Sequence, residues 1–268
     1  MTLQEPTAEG VRYLLGLLDQ PAAERVCERL DITPDGAVGP SADRVSSWQV
    51  RQVVQGLHGS VVAWMLQEDT PGGRTLLAYY HRLPIGLRRD VDGIEAENDW
   101  SAEKLVAALR LAEGPGTLKD ARAAVGWVRA VHWPALMKAH DERPLPGFAR
   151  WALSERIDCP PVLRAAFGAH PKFRHRLRQA GIYESPVHYL HEAPLNAAQL
   201  LRVLGLGRTV FPAHLAEAEA VLGPLVRAQL GTEPEAWAVL AQLLPGFSGS
   251  LAELLTTAGA IAGITAAA

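Results

Sequence analysis

The sequence predicts an all-α protein: an irregular α-solenoid or an array of helical hairpins, about 15 short helices with little or no β-sheet. Three observations predict it. Leu, Ala, Arg and Glu recur at helical spacing, while Val and Ile never alternate with polar residues over a useful length. The breaks between periodic segments are short and carry Pro or Gly, as helix–helix connections do. One phrase is used twice at a constant offset, with Arg74, Pro84, Leu87 and Arg88 matching Arg150, Pro160, Leu163 and Arg164. Self-similarity at a fixed spacing marks stacked helical units.

Each element follows from local chemistry. Val11, Leu14, Leu15 and Leu18 form the first apolar stripe, and Pro21 opens a second helix through residue 30. Pro34, Gly36, Gly39 and Pro40 mark a loop before a long helical stretch over 41–57, with Val45, Trp48, Val53 and Leu57 near one face. Gly59-Ser60 interrupts it, residues 61–67 continue it, and Pro71-Gly72-Gly73 reads as a turn. Residues 76–80 and 84–91 form the first helix–proline–helix phrase. Ser101 caps the next helix, with Glu103 in its first turn against the macrodipole, and Gly114-Pro115-Gly116 ends it. Residues 118–131 read as one helix with Val125, Val128 and Val131 inward, followed by a short helix from Pro134 to 140.

After the break Pro144-Leu145-Pro146-Gly147 the second phrase begins, and helices follow over 171–179 and 185–192. Asn196 caps another, 213–229 and 234–244 come next, and Ser248 caps the last. Pro21, Pro84, Pro134, Pro160 and Pro234 read as helix openers, because the first turn has no use for the N–H that proline lacks. No boundary demands two domains, so residues 1–268 read as one helical-repeat domain. The loop at 141–147 is where a division would fall. Residues 259–268, small and apolar, read as a fraying C-terminal tail.

Residues 148–181 carry Ala149-Arg150-Trp151-Ala152-Leu153, Cys159-Pro160-Pro161-Val162-Leu163-Arg164, Ala165-Ala166-Phe167, His170-Pro171 and Phe173-Arg174-His175-Arg176-Leu177. This run resembles the leucine-rich repeat variant family, a HEAT-like set of bacterial helical repeats, and residues 74–93 resemble it weakly. The resemblance implies a stacked helical scaffold of the kind used for binding, and it carries no catalytic residue to transfer.

Composition narrows the function. Hydrophobic residues make up 48% and charged residues 21%, as in an ordinary globular chain. The formal net charge of −3 gives no global field to recruit nucleic acid or anionic membrane. Cys27 and Cys159 read as free thiols in a reducing compartment. With no signal peptide at the N-terminus and charges interrupting the apolar runs, the expectation is a cytoplasmic protein without a membrane span. Residues 248–268, which carry the Gly259 and Gly263 pair, read as a terminal helix that packs on the last unit and then frays, with a membrane anchor as the alternative.

No cofactor or metal motif is legible. Gly205-Leu206-Gly207 follows a helix rather than a strand, and Gly246-Phe247-Ser248-Gly249 lacks the spacing and sheet of a nucleophile elbow. His188 lies beside His191 and Glu192 on one helical face, no further ligand completes a catalytic metal set, and the group reads as a polar edge. The acidic run from Asp90 to Glu103 reads as solvated carboxylates that suit a basic partner.

The candidate binding residues are cationic and aromatic. Arg164, Lys172, Arg174, Arg176 and Arg178 form a basic segment that reads either as a solvated face whose aliphatic stems cover apolar surface or as a face able to track phosphates. The seven tryptophans read by default as core anchors between units, and Trp100 and Trp133, beside polar turns, are the two that can instead serve as exposed anchors of an interface. The leading expectation is a non-catalytic scaffold that binds a protein. The alternatives are nucleic-acid binding through 164–178 and an unrecognised helical enzyme.

Overall fold

Among the described residues, those at helical spacing fold mostly as helices. The computed structural model describes residues 5–30, 56–80, 82–94, 100–111, 117–167 and 171–263, and among them lie sixteen α-helices and no strand. The all-α expectation holds. The expected loop at 31–40 and the helix at 41–57 fall almost wholly outside the described residues.

The chain divides into two compact units, one made of Met1–Val45 with Glu184–Ala268, the other of Ser46–Tyr183. The second is an insertion in the sequence of the first, and the loop at 141–147 lies inside it. The first unit begins with α1 (Glu5–Leu15) and α2 (Gln20–Leu30). The inserted unit holds α3 (Gly59–Glu68), α4 (Pro71–Leu77), α5 (Ile85–Asp92), α6 (Ala102–Leu111), α7 (Thr117–Val125), α8 (Trp133–Glu142), α9 (Gly147–Ser154), α10 (Pro161–Ala166) and α11 (Pro171–Gln179). The first unit resumes with α12 (Pro186–Glu192), α13 (Ala197–Val210), α14 (Pro212–Gln229), α15 (Pro234–Leu243) and α16 (Leu251–Ile261).

In the first unit α13 packs on α1, α14 and α16, and α15 packs on α2 and α16. Leu14, Trp237, Leu240 and Leu254 are fully buried there. Asn196 and Gln199 exchange a capping box at the start of α13. The cap of α16 is Ser250 rather than the expected Ser248, because only Ser250 stands three residues before Glu253, whose carboxylate accepts from the Ser250 N–H at 2.7 Å. Gly259 lets α16 approach the end of α14 closely, since a Cβ there would stand 2.2 Å from the Gln229 carbonyl oxygen. Ala258 and Gly259 therefore serve packing inside the unit.

The inserted unit is built on Leu105, Leu109, Ala121, Val125, Val128, Leu136, Leu153, Leu163 and Phe167. Its two ends are fastened together. The Ser60 N–H donates to the Gly181 carbonyl at 2.8 Å, and the Tyr183 N–H donates to the Ser60 hydroxyl at 2.6 Å. Pro71-Gly72-Gly73, expected as a turn, is the first turn of α4, where Thr70 caps the Gly73 N–H at 3.0 Å. The expected helix over 118–131 stops at Val125. A 3-10 turn at Ala130–His132 then re-aims the chain, so Val131 is 71% exposed instead of inward. Pro84 and Pro160 stand one step outside their helices, as N-caps of α5 and α10.

Arginines close the helix ends in this unit. Arg88 donates to the carbonyls of Leu77 and Ala78 at 3.4 Å each, and to that of Tyr80, at the end of α4. Arg164 donates to the carbonyls of Ser154 at 3.2 Å and Arg156 at 2.8 Å, at the end of α9. Arg156, 4% exposed, donates to the carbonyls of Val125 at 2.8 Å and Val128 at 2.9 Å beyond α7, and its Nε and Nη2 grip Asp158 at 2.7 and 2.8 Å. The last carbonyls of a helix lack intrahelical donors, and guanidinium supplies several in one plane.

Candidate functional site

Two of the residues expected to bind a partner belong to the interior. Trp133 is 6% exposed, packs in the core of the inserted unit, and donates its indole N–H to Asp158 at 3.2 Å. It is not an exposed anchor, because the short helix it opens turns its ring inward against α6 and the Arg156 guanidinium. Arg164 is spent on the carbonyls that end α9. The remaining arginines of the basic segment, Arg174, Arg176 and Arg178, are exposed on α11, with the Arg176 guanidinium 5.1 Å from the Trp151 ring centre. The Lys172 side chain lies outside the described residues.

Trp100 sits at the surface, and its neighbours were not anticipated. Its indole lies parallel to that of Trp127, with ring centres 6.2 Å apart and planes 5° from coincident. Lys104 stands over Trp100 at 4.7 Å, and the Arg89 guanidinium stands over Trp127 at 4.9 Å. Both indoles are half-buried against the core that holds Leu105 and Val128. Three elements supply the cluster: α5 gives Arg89, the chain entering α6 and its first turn give Trp100 and Lys104, and the turn after α7 gives Trp127. Ile85, one turn before Arg89 on α5, is 51% exposed, and Ile94, whose N–H donates to the Arg89 carbonyl at 2.9 Å, is 50% exposed. The result is an apolar, π-rich patch carrying two cations. Its one legible signal was Lys104, four residues after Trp100. Trp127 reads as core from spacing alone, and nothing in the sequence links Arg89 to it.

Asp90, from the acidic run, is used internally: it accepts from Arg129 Nε at 2.7 Å and from the Ala130 N–H at 2.7 Å. Glu95, Glu97 and Asp99 lie outside the described residues. His188 pairs with Glu192 at 3.0 Å and accepts the Glu184 N–H at 3.3 Å. Among the described residues no group of three or more His, Cys, Asp and Glu side chains is placed to hold a metal ion. Cys27 and Cys159 are buried, and burial pushes the Cys159 thiol up to about 12, so it stays protonated near neutrality. Among the described residues no helix is long and apolar enough to cross a membrane.

An open cavity of about 310 Å³ also lies in the inserted unit, between the chain entering α5, the end of α7 and the end of α9. Its polar lining includes Tyr80, Arg82, Arg122 and Glu155. No family model, no curated protein and no solved structure matches the chain.

Proposed function

We propose that this chain is a non-catalytic helical scaffold that binds another macromolecule, foremost a protein, and that an acidic segment of that partner docks on the Trp100–Trp127 patch. The parallel indoles with Lys104 and Arg89 on their faces carry this reading. Half-buried tryptophan seated on a rigid core offers a large apolar contact at little entropic cost, and Trp and Arg are the residues that dominate interfaces. The two cations select carboxylates, and the exposed Ile85 and Ile94 extend the contact with apolar area. The scaffold is read as HEAT-like. What supports this is the matched use of Arg88 and Arg164, which reach back to carbonyls at corresponding places, Ala78 and Tyr80 in one phrase, Ser154 and Arg156 in the other. Cys159, buried and joined to no other cysteine, supports a reducing compartment such as the cytoplasm.

The test is cross-linking of the full chain in its source proteome, beside the Arg89→Glu/Lys104→Glu variant. A protein cross-linked within residues 85–104 of the wild type, and lost on charge reversal, is the expected result. If the cross-links are unchanged in the variant, or no protein is found there, the reading fails.

A second reading is favoured by the three exposed arginines of α11, which suit phosphates of a nucleic acid. RNA or DNA affinity that does not fall with added salt, or that survives Arg174→Glu/Arg176→Glu, removes it.

A further inference from the structure

We propose that the cavity between α5, α7 and α9 is a binding site for a small organic monoanion, a carboxylate carried on an apolar body. The space, about 310 Å³, is of the size that accepts a small ligand. Its lining is sorted by chemistry: Pro84, Val125, Ala152 and Ile157 are apolar, whereas Arg82 and Arg122 bring guanidinium groups.

The charges decide the class of ligand. Arg156, also in the wall, is fully committed to the Val125 and Val128 carbonyls and to Asp158, so its charge is already answered. Arg122 places Nη2 on both oxygens of Glu155, at 3.3 and 3.0 Å, and Glu155 also accepts the Trp151 indole N–H at 2.7 Å. That pair is neutral as a whole, while the Nε and Nη1 donors of Arg122 make no hydrogen bond among the described residues. Arg82 is exposed and makes neither a hydrogen bond nor an ion pair among them. One unanswered positive charge therefore borders the cavity, with donors of a second guanidinium in the same lining. A singly charged carboxylate balances it. A doubly charged phosphate would meet Glu155 with no second free cation, which disfavours it.

Two other features fit a carboxylate with a body. The carbonyls at the end of α7, which would repel an anion, are already occupied: Val125 by Arg156, and Gly126 by the Gly86 N–H at 2.9 Å. Tyr80 is nearly buried in the wall, and burial raises its hydroxyl above the ordinary value, so it remains a neutral donor. The carboxylate can belong to a free small acid or to the C-terminus of a peptide, because the recognising chemistry is the same.

Calorimetric titration of the full chain tests this with named probes: 3-phenylpropionate, 3-phenylpropionamide, inorganic phosphate, and an N-acetylated tripeptide ending in phenylalanine with a free carboxylate. The expected result is single-site binding of at least one carboxylate. The amide and phosphate should bind weaker by about 10-fold or more, the scale set by losing one charge-assisted hydrogen bond. Arg82→Gln, at an exposed position that leaves the fold intact, should weaken the carboxylate by about 10- to 100-fold. Arg202→Gln, exposed on α13, should leave it unchanged. Whether the free acid or the tripeptide binds tighter names the source. Equal binding of acid and amide, unaltered binding in Arg82→Gln, or no carboxylate binding at roughly millimolar concentration overturns the proposal. None of these outcomes touches the Trp100–Trp127 patch, whose variants are different.

Discussion

Arg156 is the side chain on which the inserted unit most depends, and its replacement gives a sharp number. Arg156→Met keeps length and apolar bulk but removes donors to the Val125 and Val128 carbonyls and both contacts to Asp158, all between 2.7 and 2.9 Å. Asp158, whose side chain is 12% exposed, would retain the Trp133 indole N–H at 3.2 Å. Each carbonyl loses a charged donor, about 1.5–3 kcal/mol. Breaking a buried pair from one side costs about 3–5 kcal/mol because the other charge stays behind. These losses overlap and do not add, so the whole is about 3–5 kcal/mol. Urea unfolding with a slope near 2 kcal/mol per molar would then show a midpoint lowered by about 1.5–2.5 M. Tryptophan fluorescence is the right probe, since every tryptophan except Trp237 lies in Ser46–Tyr183. Adding Asp158→Asn should recover part of the loss by removing the stranded charge. A midpoint shift under about 0.5 M, or a double variant no better than the single, would refute the assignment of Arg156 as a buried, charge-balanced cap.

Two further outcomes follow from the same unit. Arg88→Met and Arg164→Met should each lower the melting temperature, by the equivalent of about 1–3 kcal/mol, because both strip donors from the end of a preceding helix; a neutral Arg88→Met beside a destabilising Arg164→Met would break the correspondence between the two phrases. His140 should make stability fall with acid. Burial chiefly, and then Arg150, hold it below the ordinary histidine value of 6.5, with Arg110 acting the same way and Asp141 opposing. Its Nδ1 accepts the Leu145 N–H at 3.2 Å, a bond that a proton on that nitrogen would abolish. The unfolded chain therefore binds this proton more readily, so the contribution is whole above 6.5 and is lost as the pH drops below that value. Urea midpoints measured on either side of pH 6.5 should show the drop, and His140→Gln should flatten it; an unchanged slope in the variant would exclude His140 as its source.

The fold class was legible because it rests on spacing, which sequence carries directly. Helix starts were legible where a polar cap precedes the stripe: Ser101 accepts the Lys104 N–H at 3.2 Å and Asn196 accepts the Gln199 N–H at 2.9 Å, as read. Errors fell where two nearby signals compete. Ser248 and Ser250 both precede the last helix, and the position of Glu253 decides between them. Periodicity carried the helix past Val125 because Val128 and Val131 continue the stripe. Trp127, Val128 and Gly126 instead form a turn against Gly86, where a Cβ would stand 2.2 Å from the Val128 carbonyl oxygen. That contact joins residues far apart in sequence and leaves no local trace. The division into two units escaped for the same reason. Its boundary is set by which helices pack together, and Ser60 meeting Tyr183 is a long-range bond with no motif.

The candidate sites were less legible than the fold because a cation has no fixed role until its surroundings are known. Arg164 and Arg176 look alike in the basic segment, yet one satisfies two carbonyls and the other lies exposed over an indole. Arg88 and Arg89 are neighbours, and the helix sends one back to the end of α4 and the other onto Trp127. A run of positive charges in a helical chain is therefore a mixture of caps and contacts, and the mixture depends on where helices end. Each helix end leaves carbonyls in want of donors. In a chain of many short helices that demand is high, and arginine meets it before any partner does. Arg82 at the cavity and Lys104 on the Trp100 indole donate to no helix-end carbonyl among the described residues, and recognition can rest on cations of that kind. By that order of demand Arg164 belongs to the fold, at the end of α9, and Arg82 to recognition, at the cavity.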